Sequence, residues 1–396
     1  MKGYAVLLII FAFAISVSGL DNGQARTPVM GWLDWEKFRC NIDCEATPDT
    51  CIAEKLFMDM ADRMAADGYL DAGYNHVNID DCWLNKAGRN ANGSLEADPT
   101  RFPHGIKWLA DYIHAKGLKI GIYEDLGTHT CGGYPGTTLD KITQDADTFA
   151  SWGIDMLKLD GCYSDEATKN IGYPQMSRAL LKTGRPFVYS CSWPAYMNVT
   201  WSDVTKNCNM WRMYDDIQNN WKSVLGIINW CADNQAMLIP NAGPGQWNDP
   251  DMLIIGDTGL NEEEAKSQMA IWSILAAPLL MSNDLRTITD NFRQILLNKE
   301  IIAVDQDPMG KQGQRVSNLN GKQIWVRPLH NGDKALVLFN TNDSAVSITA
   351  SFPQIGISGS AKFRDLYEHK DVGTFAGVFS AHVQPHGVAM FRITPQ

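Results

Sequence analysis

The feature that most constrains this chain is an alternation. Between residues 28 and 282, eight short β-prone runs take turns with amphipathic helical stretches. The runs fall at 29–32, 76–80, 119–125, 155–160, 187–191, 210–216, a weaker one just before Asp249, and 278–282. Apolar spacing between them predicts helices at 51–67, 105–116, 145–152 and 223–234. Eight β units with intervening helices over ~250 residues predict an α/β fold, the (β/α)8 TIM barrel. A doubly wound sheet is the rival. It needs a glycine-rich nucleotide loop after the first strand, and no G-x-G-x-x-G run occurs in that region. After residue 313 the pattern changes. Strand-like runs at 323–329, 334–340, 345–352, 361–367 and 388–393 partly alternate, and Asn320-Gly321 and Asn331-Gly332 are hairpin-turn pairs. The expected organisation is a catalytic barrel over 20–313 and a small antiparallel β-sandwich domain over 314–396. The second domain is expected to pack against the barrel; independent sugar binding is its alternative role.

Residues 1–19 read as a secretory signal peptide: Lys2, an apolar run, then Ser18 and Gly19, with cleavage expected after Gly19. The run falls short of the ~20 residues a spanning helix needs, and no later segment is long and apolar enough to span. The formal net charge of −11 disfavours nucleic acid and anionic membrane, which call for a basic patch. Nine cysteines spread thinly suit disulfide staples on an existing core, with at least one left over. Zinc is the competing use, but Cys40-x3-Cys44 has no second close pair, and no metal or other cofactor is expected. Asn92, Asn198 and Asn342 each begin an N-glycosylation sequon.

In a barrel the chemistry sits where strands end. Here those ends are acidic: NIDDCW (Asp80, Asp81), IYED (Asp125), KLDGCY (Asp160), WRMYDD (Asp215, Asp216) and WNDPDM (Asp249, Asp251). Any one of them could merely cap the following helix. Strand alternation narrows the set. Lys158 and Asp160 share a face and point into the mouth, while Leu157 and Leu159 face the helices. By the same rule Arg212, Tyr214 and Asp216 share a face and Asp215 points elsewhere. Two carboxylates among aromatics are what glycoside cleavage requires: one protonates the leaving oxygen, the other attacks the anomeric carbon or activates water. A Schiff-base role for Lys158 and an enolase-like Mg²⁺ site are the competing barrel chemistries. The first lacks a phosphate loop near the last strands. The second sits badly with the aromatic company of Trp35, Trp83, Tyr123, Trp193 and Tyr196.

The motifs LDNGQARTPVMGWLDWEKFRCNIDC, CIAEKLF, NIDDCW, ADPTRFPHGI, KLDGCY, CNMWR, WNDPDM, APLLMSNDLR and QDPMGKQG carry a resemblance that runs nearly end to end. The chain resembles the eukaryotic retaining glycosidases that comprise α-galactosidase and α-N-acetylgalactosaminidase. The resemblance implies a barrel followed by an antiparallel β domain, a homodimer, and a lysosomal destination; secretion is the alternative. It implies that Asp160 is the nucleophile and Asp216 the general acid/base, a choice that strand parity leaves open. Trp35, Asp80, Asp81, Tyr123, Lys158, Arg212 and Asp251 match positions that bind sugar hydroxyls or pack on the ring. Lys158 is expected to help keep Asp160 ionised. The implied disulfides are Cys40–Cys82, Cys44–Cys51, Cys131–Cys162 and Cys191–Cys208, leaving Cys231 as a buried thiol.

The stretch YSCSWPAYM, residues 189–197, bears on which sugar is taken. In the family, α-galactosidases carry Glu and Leu where this chain has Ser192 and Ala195, whereas α-N-acetylgalactosaminidases carry Ser and Ala. The expected substrates are therefore terminal α-linked N-acetylgalactosamine units on a glycolipid, O-glycan or glycopeptide, with residual α-galactosidase activity. Ser192, Ala195 and Tyr196 would line the pocket. A plain α-galactosidase and an inactive lectin-like sugar binder are the alternatives.

Overall fold

The computed structural model describes residues 20–396; the expected signal peptide lies outside the described residues. Eight short strands form one parallel sheet: β1 (Met30–Leu33), β2 (His76–Ile79), β3 (Lys119–Asp125), β4 (Met156–Asp160), β5 (Val188–Cys191), β6 (Met210–Arg212), β7 (Trp247–Asp249) and β8 (Leu279–Met281). Each pairs with its sequence neighbour from β1 to β7, and β8 returns to β1. The remaining gap is closed by Leu253, whose N–H donates to the Leu280 carbonyl at 2.8 Å and whose carbonyl accepts from Ser282 at 2.8 Å. This is the (β/α)8 barrel expected from the alternation. Helices lie between the strands. Helix Glu54–Ala66 buries Leu56, Phe57, Met60, Ala61 and Met64, the i, i+3, i+4 stripe its sequence displays.

The sixth strand departs from expectation. It stops at Arg212, and Tyr214 turns away to stack on Trp230 of helix Trp221–Asp233, rings 4.7 Å apart. Strand parity therefore does not extend to Asp216, whose position has another cause, described below.

The C-terminal unit has a six-stranded antiparallel sheet of β9 (Gln314–Leu319), β10 (Lys322–Pro328), β11 (Lys334–Asn340), β13 (Ser360–Asp365), β14 (Lys370–Ala376) and β16 (Val388–Pro395). A two-stranded sheet pairs β12 (Val346–Ser351) with β15 (Val378–Val383). Phe352, Phe363, Phe379 and Phe391 pack in the core they share with Leu336, Leu338 and Ile393. Both residues of Asn320-Gly321 have positive φ, 51° and 76°, as a two-residue turn between β9 and β10 requires. Helix Glu262–Leu275 joins the two units. Its Asn261–Glu264 capping box fixes one end, and nearly every residue is buried.

Candidate active site

Strand β4 delivers Lys158 and Asp160 to the mouth, while Leu157 and Leu159 are fully buried on the other face. The β3–β4 register sets Tyr123 beside Lys158 and Asp125 beside Asp160. The Lys158 ammonium donates to Asp80 Oδ2 at 2.6 Å and lies 5.3 Å from the Tyr123 ring centre. Its direct partner is thus Asp80 rather than Asp160. Burial opposes its charge, but Asp80 and Asp160 outweigh burial and hold Lys158 above the ordinary lysine value. Burial in turn raises the Asp80 carboxyl, partly offset by Lys158.

Three donors converge on Asp160. Oδ1 accepts from Gly161 N–H at 3.0 Å and from Tyr196 Oη at 2.6 Å; Oδ2 accepts from Tyr123 Oη at 3.0 Å. Tyr196 is placed by a one-turn helix, Trp193–Tyr196, that follows β5 with Ser192 as its N-cap. Ser192 is buried, and its N–H donates to the Leu159 carbonyl at 3.0 Å, so this turn is pinned to the strand that carries Asp160. Ala195 is exposed, its N–H bonded to the Ser192 carbonyl at 3.0 Å. Trp193 anchors the turn by stacking on Tyr173, 5.4 Å between ring centres. The Cys131–Cys162 disulfide borders the same spot, with Cys162 Sγ 3.3 Å from Tyr196 Oη.

On the opposite side, Arg212 at the end of β6 pairs with Asp216 Oδ1 and Asp251 Oδ2, each at 3.1 Å. Asp251 Oδ2 also accepts Ile217 N–H at 2.8 Å. These tethers, rather than strand geometry, bring Asp216 into the mouth. Asp215 is exposed, and its carbonyl accepts from Arg212 at 3.0 Å. Asp251 adopts φ 85°, rare for a residue other than glycine and the kind of strain that functional sites hold. The Asp216 side chain is 64% exposed. Partial burial raises its pKa, but Arg212 and Lys158 outweigh this and hold the carboxyl below the usual range. Asp81 accepts from Gly132 N–H and Cys82 N–H, each at 2.6 Å, and burial lifts it to about 6. Trp35 is half-buried at the start of helix Trp35–Phe38, directly after β1.

Further groups belong to this cluster. Asp125 accepts Cys162 N–H at 2.9 Å, and burial together with Asp160 pushes it to about 8. Its same-face spacing from Tyr123 was the available signal. Asp34, fully buried, accepts Asp80 N–H at 2.7 Å; nothing in the sequence distinguishes it from a cap. The structure joins Cys40 to Cys82, Cys44 to Cys51, Cys131 to Cys162 and Cys191 to Cys208, and leaves Cys231 free and buried. Asn92 and Asn198 are exposed, whereas Asn342 Nδ2 donates to Asn320 O and Asn340 Oδ1 at 3.1 and 3.0 Å.

Residues 27–307 match the family model described as Alpha galactosidase A, and residues 320–393 match its Alpha galactosidase C-terminal beta sandwich domain. The chain belongs to the alpha galactosidase A family. It is a glycosidase of that family. It is 53% identical to the Alpha-N-acetylgalactosaminidase of Gallus gallus, over 95% of this chain and 96% of that one. Identity to the Homo sapiens Alpha-N-acetylgalactosaminidase is 50%, over 98% and 97%. Alpha-galactosidase A of Homo sapiens is also 50% identical, over 82% of this chain and 76% of that one. The crystal structure of alpha-galactosidase I from Mortierella vinacea superposes with a TM-score of 0.85 at 34% identity, over 95% of this chain and all of that one.

Proposed function

We propose that this glycosidase removes terminal α-linked N-acetylgalactosamine by double displacement, with Asp160 as nucleophile and Asp216 as general acid/base. The observation that carries the choice of sugar is the turn at Ser192. It pins Ser192 to the strand that bears Asp160, sets Tyr196 against Asp160 itself, and leaves the small Ala195 side chain exposed beside them. Among the described residues the Ser192 hydroxyl has no protein partner, so it is free to bond an acetamide, and Ala195 leaves room for the acetamide methyl. A larger side chain at Ala195 would exclude that group by overlap. The open pocket only loses contacts with galactose, so discrimination against galactose is modest, a few kcal/mol at most.

In the first step Asp160 attacks the anomeric carbon from the face opposite the α-linked aglycone, and protonated Asp216 donates to the departing oxygen. In the second, Asp216 takes a proton from water, which displaces Asp160. Two inversions give retention. Asp80 and Lys158 share their charge as a buried pair and offer hydroxyl contacts. Bound substrate covers Asp216, and loss of water disfavours its charged form, which helps it keep the proton that the first step uses. Four disulfides are compatible with an oxidising secretory route, and we place the enzyme there, with the lysosome as destination and a homodimer as its working form. The test of the reading is kcat/KM on paired chromogenic α-GalNAc and α-Gal glycosides.

A further inference from the structure

Arg39 lies beside this site without belonging to the sugar contacts. It sits just after helix Trp35–Phe38 at φ 48°, a left-handed backbone that a residue other than glycine seldom adopts. The next residue, Cys40, is locked to Cys82, itself at φ 72°. The guanidinium is therefore aimed by a strained, cross-linked turn. It pairs with the buried carboxylate of Glu36, lies 5.7 Å from the Trp35 ring centre, and donates to Gln218 Oε1 at 3.1 Å. Gln218 Nε2 in turn donates to the carbonyl of Asp216 at 3.3 Å. The β1 loop is thus bridged to the β6 loop through one side chain.

We propose that Arg39 is a positioning residue for the acid/base: through Gln218 it fixes the loop that carries Asp216. This rests on the assignment of Asp216 as acid/base. The cations whose charge acts on Asp216 are Arg212 from β6, in direct contact with it, and, without a direct contact, Lys158 from β4 and Arg39 from the β1 loop. Asp251 and Glu36 stand behind the two arginines. Arg212 and Lys158 are already engaged by Asp251 and Asp80. Arg39 is engaged in turn by Glu36, is 39% exposed at its side chain, and is the cation of the three that comes from the β1 loop. Its charge adds to those that lower the Asp216 carboxyl.

The test compares pH profiles of kcat/KM for wild type, Arg39→Gln, Arg39→Lys, Gln218→Leu and Asp216→Ala, on aryl α-GalNAc substrates with a good and a poor leaving group. Arg39→Gln should move the alkaline limb upward by on the order of half a unit, because a cation that favours the carboxylate has gone. It should also cost about tenfold more on the poor leaving group than on the good one, since only the former needs a well-aimed proton. Arg39→Lys should restore the limb and only part of the leaving-group effect. Gln218→Leu should reproduce the leaving-group effect. An unmoved limb with equal losses on both substrates in Arg39→Gln overturns the proposal. If that variant does not fold, equal losses in Gln218→Leu overturn it. Asp216→Ala separates the two layers. If it keeps the alkaline limb and shows no leaving-group dependence, the acid/base assignment has failed rather than the role of Arg39.

Discussion

Removing the Lys158 ammonium probes the charge arrangement under the site. Lys158→Met keeps the length of the side chain and deletes its charge. Asp80 is then left 2% exposed at its side chain, with the carboxyls of Asp34 and Asp160 as its acidic neighbours and no cation at 2.6 Å. Breaking one side of a buried pair costs about 3–5 kcal/mol. With an unfolding entropy of about 2.1 cal/mol/K per residue, a chain of 396 residues has roughly 0.8 kcal/mol/K, so the apparent Tm should fall by about 4–6 °C at pH 7. The sign of the pH dependence follows from the direction of the Asp80 shift. Its folded pKa is already raised by burial, and losing Lys158 raises it further. An acid with a raised folded pKa destabilises the native state once the unfolded form ionises, above ~4, and increasingly until the folded form ionises too. The Tm defect should therefore be small near pH 4 and grow toward pH 7. Differential scanning fluorimetry across that range measures it. A defect under about 1 °C, or one of equal size at both ends, refutes the reasoning.

Asp160→Asn should abolish turnover with an unchanged Tm; activity within a few-fold of wild type would remove Asp160 from the mechanism. His386 ties the two units together, with its ring stacked on Trp221 at 5.3 Å, Nδ1 at 2.8 Å from Glu264 and Nε2 at 2.9 Å from Asp343. Burial lowers its pKa, but the two carboxylates outweigh burial and raise it overall. Its contribution is then fully present below the ordinary imidazole value of ~6.5 and lost as pH rises through the raised folded one. His386→Gln should cost about 1 kcal/mol at pH 5 and clearly less at pH 8, read as Tm differences; an equal loss at both contradicts the linkage.

The sequence made the barrel legible because its strands are buried on both sides and read as short apolar runs, most of them with a charged residue at or just after the end. Lys119–Asp125 and Lys334–Asn340 fall on their expected residues for this reason. Strands β9, β14 and β15 escaped because they are largely solvent-facing and carry no apolar run. The Glu262–Leu275 helix, buried all round between the two units, lacks the one-sided stripe that marks a helix. In the site, parity located Lys158 and Asp160 correctly because β4 is regular up to Asp160. Parity failed at Tyr214 because β6 ends two residues earlier, and the placement of Asp216 depends on Arg212 and Asp251, far apart in sequence. Glu36 and Arg39 form an i, i+3 pair, but their link to Gln218, and that of Asp34 to Asp80, arises only through the fold.

The central claim is that Ser192 and Ala195 open the pocket for an N-acetyl group. The measurement that tests it most directly is the ratio of kcat/KM on α-GalNAc and α-Gal chromogenic glycosides, in wild type and in Ser192→Glu with Ala195→Leu. The account predicts a wild-type preference for α-GalNAc with measurable α-Gal turnover, inverted in the double variant. A wild-type preference for α-Gal, or a ratio the double substitution leaves unchanged, would contradict it.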